Sequence, residues 1–77
     1  MKAFLYLMGK YESLTVTLPQ TCNELGLVLG TAYNQISAGT FPIPLRKVGK
    51  NHIIDIRDLG DHLDQLRQEA RELFEKK

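Results

Sequence analysis

Residues 17–39 read Thr-Leu-Pro-Gln-Thr-Cys-Asn-Glu-Leu-Gly-Leu-Val-Leu-Gly-Thr-Ala-Tyr-Asn-Gln-Ile-Ser-Ala-Gly, and they hold two short helices with a turn between them. Thr17 suits the N-cap of the first helix. Pro19 is tolerated in the first turn, where its missing N–H would have no partner anyway. Leu18, Cys22 and Leu25 recur at i, i+4 and i+7, which puts them on one face. Gly26 ends this helix, because glycine takes the left-handed conformation that follows a helix C-terminus. Leu27 and Val28 make a tight connection. The second helix is expected from about Leu29 to Ala38, closed by Gly39. Leu29, Ala32, Tyr33 and Ile36 form its expected buried stripe, with the Tyr33 ring packed under whatever follows. Thr31, Asn34, Gln35 and Ser37 form its polar face.

The flanks extend this picture. Ala3 to Met8 is an apolar, β-prone run and is expected to be extended. Leu14 to Leu18 alternates apolar and polar, as a short strand does. After Gly39, the Phe41-Pro42-Ile43-Pro44 segment cannot be helical, since two prolines fix an extended crossing. Leu45 to Val48 reads as a strand, Gly49-Lys50-Asn51 as a turn with positive φ at Gly and Asn, and His52 to Ile56 as the returning strand. From Arg57 onward Leu59, Leu63, Leu66, Ala70 and Leu73 step by four and three, a sustained helical seam. Asp58 and Asp61 near its start and Lys76 and Lys77 at its end suit the helix dipole.

At 77 residues the chain has room for one small domain. Ten Lys and Arg stand against nine Asp and Glu, so a uniformly basic binder is excluded, while a local basic patch is not. The charge is uneven: residues 1–53 carry five basic and two acidic side chains, and residues 54–77 carry five basic and seven acidic. No carboxylate occurs between Gly30 and Ile53, so the residues suited to an anion lie there. No apolar run approaches the roughly 18 residues of a membrane span. The apolar stretch at the start is too short for a secretory signal, and one cysteine forms neither an internal disulfide nor a zinc site. The expected compartment is cytoplasmic, with no membrane association. An enzyme is not expected, because so short a chain must build a core before it can wall a pocket. His52 and His62 lack metal-ligand spacing, and no cofactor or metal is expected. Cys22 reads as a small core residue. Asp55, Asp58, Asp61 and Asp64 recur every three residues and read as a solvated acidic face.

The order of elements (extended, helix, turn, helix, Pro-rich crossing, hairpin, helix) is a winged helix-turn-helix plan in the α+β class. Its helix-turn-helix covers about 17–39, its two-stranded wing about 45–56 and its long C-terminal helix about 57–75. The chain resembles the MerR-like winged-helix module of phage excisionases and AlpA-type regulators. The resemblance is carried by Thr17-Leu18 and Leu25-Gly26 around the first helix, Thr31-Ala32-Tyr33 in the second, Gly39 and Phe41-Pro42, Val48-Gly49-Lys50 in the wing, and Ile56-Arg57-Asp58-Leu59. The segments FLYLMGKYE, ISAGTFPIPL and DLGDHLDQLRQEA are similar to the pyocin-activator family of prophage transcription activators. The short Gly-Lys-Asn-His loop is closer to an excisionase wing.

This resemblance implies sequence-specific binding of double-stranded DNA by a phage or prophage regulator, acting as a transcriptional activator, an excisionase, or both. On the residues themselves, a second helix in the major groove would read bases with Thr31, Asn34 and Gln35, with Ser37 more peripheral. The Tyr33 hydroxyl would reach a phosphate at the edge. Arg46, Lys47, Lys50, Asn51 and His52 in the hairpin would lie along the backbone or in the minor groove. The far end of the last helix leaves Leu66, Ala70, Leu73 and Phe74 in need of cover. Phe4, Tyr6 and Met8 could supply it, or a second copy in a homodimer or cooperative oligomer on DNA. An integrase or RNA polymerase would receive the output. The rival expectation is a protein-interaction module, such as an antirepressor, working through the long helix.

Overall fold

The computed structural model describes residues 2–76. Four helices and three strands follow in the order α1 (Ala3–Tyr11), β1 (Thr15–Thr17), α2 (Leu18–Leu25), α3 (Leu29–Ala38), β2 (Arg46–Val48), β3 (Asn51–Asp55) and α4 (Ile56–Glu75). The strands form one antiparallel sheet in the order β1-β3-β2. It is a small α+β fold.

The start of the chain departs from expectation. Residues 3–11 are helical, not extended. Six consecutive apolar residues hide the period, but Leu7 is buried and Phe4, Met8 and Tyr11 pack against the core, a helical spacing of three and four. Leu5 and Tyr6 face out. α1 lies on the first half of α4 at very close range. A Cβ added to Gly60 would stand 2.9 Å from the Phe4 backbone nitrogen and 3.0 Å from its Cα. The Asp64 carboxylate accepts a 2.9 Å hydrogen bond from the Ala3 N–H, capping α1 from the last helix. At the other end of α1, Lys10 and the Tyr11 hydroxyl both donate to Glu24 of α2 at 2.6 Å. Burial alone would raise the Glu24 pKa, but these hydrogen bonds outweigh it and hold the carboxyl below its ordinary value.

α2 begins with a reciprocal cap: the Gln20 N–H donates to the Thr17 hydroxyl, and the Thr17 N–H donates to the Gln20 side chain. It ends at Gly26, φ +67°, and α3 ends at Gly39, φ +73°, both as expected. Thr21 is fully buried, its hydroxyl donating to the Thr17 carbonyl at 3.0 Å. The Pro-rich crossing alternates: Ile43 is buried and Phe41 and Leu45 are half-buried, while Pro42 and Pro44 face solvent.

The hairpin carries one strand more than a two-stranded wing. β1 joins it through Thr15–Asp55, Val16–Ile54 and Thr17–Ile53 pairs. The β2–β3 turn is two residues long, with Val48 paired to Asn51. Gly49 alone supplies positive φ there (+63°), the II′ requirement, and Asn51 sits in the strand. The core joins Leu7, Val16, Leu18, Cys22, Ala32, Ile43, Ile54, Ile56 and Leu59 from every helix and both long-range strands. Burial of Cys22 pushes its thiol pKa up.

α4 starts at Asp55, whose carboxylate accepts the Arg57 N–H at 2.8 Å and pairs with the Arg57 guanidinium at 2.6 Å. The helix outruns its cover. α1 and the core reach as far as Leu63 and Asp64, while Leu66 is largely exposed and Leu73 and Phe74 are 69% and 78% exposed. Phe4 and Met8 therefore cover the first half of α4 and not its end. Among the described residues no helix is long and apolar enough to cross a membrane.

Candidate nucleic-acid interface

α2 and α3 are joined by Gly26, Leu27 and Val28. Within α3 Ala32 is buried and Ile36 packs on the core, which fixes the opposite face as the outward one. Thr31, Asn34 and Ser37 are exposed there, as expected. Leu29 and Tyr33, expected in the buried stripe, are 37% and 46% exposed. Gln35, expected to point outward, is half-buried, and its amide Oε1 is buried without a hydrogen-bond partner. One hundred degrees per residue explains the exchange: Gln35 lies three residues from Ala32, and Tyr33 is rotated away from it. The Gln35 side chain is instead half-buried on the underside of α3, and its backbone carbonyl accepts from the Thr40 N–H at 2.9 Å in the turn that ends the helix.

Tyr33 does not sit under the hairpin. It sits beside it, its ring meeting the His52 ring edge-on with 5.8 Å between centroids and 64° between planes. This contact joins α3 to β3. It also half-buries His52, whose Nδ1 is enclosed without a partner.

Strand alternation divides the five hairpin residues. Lys47 pairs with His52 and shares the face of Ile54 and Val16, the face toward the helices. Arg46 pairs with Ile53 and lies on the opposite face, with Asp55 and Arg57 lining the same shallow cleft. Lys50 is in the turn, exposed, and Asn51 begins β3 on the Arg46 face. So Lys47 and His52 are grouped with Tyr33 on the α3 side, Arg46 and Asn51 are on the other face, and Lys50 stands at the hairpin tip. The Arg57 guanidinium is committed to Asp55. That pairing, with the Arg57 N–H, holds the Asp55 pKa down at about 2.

Sequence reading missed Val28, Leu29 and Gly30. All three are exposed at the head of α3, and an apolar pair before a glycine offered no signal beyond core packing. Two of the four aspartates are caps and not part of a solvated acidic face: Asp55 caps α4 and Asp64 caps α1. His62 is half-buried on α4. Among the described residues no group of three or more His, Cys, Asp or Glu side chains is placed to hold a metal ion. No protein-family model, curated protein or solved structure matches this chain.

Proposed function

We propose that this chain is a sequence-specific binder of double-stranded DNA, a regulator of phage or prophage origin on the winged helix-turn-helix plan, with no catalysis of its own. The observation that carries the reading is the Tyr33–His52 contact. It docks α3 against β3, so the outward residues of α3 and the cationic helix-side residues of the hairpin share one side of the molecule. On this reading α3 enters the major groove. Thr31 and Asn34 meet base edges, Asn34 being suited to a bidentate contact with adenine. Lys47 and Lys50 meet phosphates, and Gln35 braces α3 from behind. Arg46 and Asn51 would touch DNA only where it wraps around the hairpin.

The exposed end of α4, at Leu66, Ala70, Leu73 and Phe74, is where a second copy, an integrase or RNA polymerase would dock. Whether the output is promoter activation or excision then depends on where the bound site lies. The same apolar end of α4, on a chain with a net charge of +1, supports a second reading as an antirepressor that binds protein alone.

A salt titration of binding to duplex DNA separates the two. The DNA reading expects preference for one sequence over random competitor and an affinity that falls as salt rises, with a logarithmic slope of about −0.9 for each phosphate contacted. Lys50→Ala should reduce that slope by about one, and Asn34→Ala should cut discrimination by about 1–3 kcal/mol. Equal, weak binding to all duplexes overturns the reading in favour of a protein partner.

A further inference from the structure

Two residues at the head of α3 break local rules, and nothing inside the molecule compensates. Val28 holds the N-cap position with no side-chain cap, where Ser, Thr, Asp or Asn is strongly preferred. The helices on either side, α2 and α4, use Thr17 and Asp55 there. The Val28 side chain is 72% exposed. Gly30 lies in the first turn, and a Cβ there would meet nothing within 4 Å. It has no positive φ either, so neither backbone conformation nor a close neighbour calls for glycine, a poor helix former. Rules broken without internal compensation mark functional surface.

The geometry says what kind. Gly30, Asn34 and Ser37 follow at intervals of four and three, one line down the outward face of α3. The backbone is bare at the head of that line, one turn before Asn34. Thr31 lies one residue further round the helix, and Val28 stands exposed at the N-cap. No charged residue and no histidine occurs from Leu25 to Leu45, so α3 offers no Arg or Lys, the residues that read guanine. Of the direct contacts left to an uncharged turn, hydroxyls accept either base, while the two that discriminate both favour A·T: an amide on adenine, and methyl groups against the thymine C5-methyl. The nearest cation the sheet register places is Lys47, which pairs with His52, the residue whose ring meets Tyr33 of α3; Lys50 follows in the hairpin turn.

We propose that the first turn of α3 reads A·T base pairs by methyl contact and close approach. The Val28 and Thr31 methyl groups meet thymine C5-methyls, Asn34 pairs with a neighbouring adenine, and Gly30 lets the helix backbone settle onto the base edges. This rests on the DNA-binding reading above and specifies what that site selects.

The test uses the full chain and a randomised duplex library, followed by affinity measurements on the selected duplex with thymines replaced one at a time by deoxyuridine. The selected core should be A·T pairs, and loss of one contacted methyl should weaken binding about fourfold, the equivalent of one buried methylene. Val28→Ser should abolish that sensitivity at one thymine and leave it at the thymine that Thr31 meets, and because serine is the better N-cap it keeps α3 folded. Gly30→Ala should melt higher, by up to about 4–8 °C, yet bind the selected duplex about fivefold or more weakly, the lower bound for losing a bidentate contact. A selected core dominated by G·C pairs, or deoxyuridine bound as well as thymine, overturns this inference and leaves the DNA-binding reading intact. A library that yields no enriched sequence overturns both and assigns the charge-free turn to a protein surface.

Discussion

Gly60 and Gly30 both sit inside helices, both with ordinary backbone angles, yet they stand for opposite things. Gly60 is buried, and the space its side chain would fill belongs to the Phe4 backbone. Gly30 is exposed and has open space where a side chain would go. The first glycine is explained within the fold: two helices approach until only hydrogen fits. The second has no internal reason, so its explanation lies outside the molecule. The same substitution, glycine to alanine, therefore has opposite signs at the two sites.

The largest effect expected is at Gly60. Overpacking costs about 1–3 kcal/mol, and alanine returns about 1 kcal/mol of helix propensity. Since the obstacle is backbone and cannot swing aside, Gly60→Ala should destabilise by about 1–2 kcal/mol in urea unfolding. A neutral result would mean that α1 shifts freely on α4. Val28→Ser should stabilise by about 1 kcal/mol, because it supplies the cap α3 lacks. Gly30→Ala should stabilise by up to about 1 kcal/mol. If either of these two lowers stability, the head of α3 is held by internal contacts and the contrast with Gly60 fails.

A smaller effect sharpens the comparison of helix starts. The Asp55 pKa is depressed from 3.8 to about 2. A depressed carboxylate contributes stability that is present above its unfolded value and lost as pH falls through its folded value. Asp55→Asn keeps a capping side chain but removes this titration, so stability should fall less steeply between about pH 4 and pH 2. Glu24, also held low, acts in the same direction and keeps part of the slope in the variant. Smallest of all, Phe74→Ser on the uncovered end of α4 should change stability by no more than about 0.5 kcal/mol, as at surface sites generally.

Local signals in the sequence were sufficient at the ends of α2 and α3. Thr17, Pro19 and Gln20 announce the start of α2, and Gly26 and Gly39 announce two helix ends because each needs a left-handed residue. The hairpin was legible but its register was not: Gly49-Lys50-Asn51 reads as the turn, whereas Asn51 pairs with Val48 and the turn is Gly49-Lys50 alone. Long-range features were not legible. Nothing near Ala3 reveals that Asp64 will cap it, and nothing near Thr15 reveals its pairing with Asp55. α1 was hidden because a six-residue apolar run has no visible period until it is known that Leu5 and Tyr6 face out. In the candidate interface, Thr31, Asn34 and Ser37 were readable as outward residues. Gln35 and Tyr33 were not, because a ten-residue helix with one fully buried residue, Ala32, leaves its phase open by one position. The division of the hairpin cations between two faces becomes visible only with the register.

The Asp64–Ala3 hydrogen bond links residues 61 positions apart. It makes the first helix depend on the last: α1 has its cap and its packing surface only while Gly60 to Asp64 are in place. The two helices therefore open together, and amide exchange should report them as one cooperative unit.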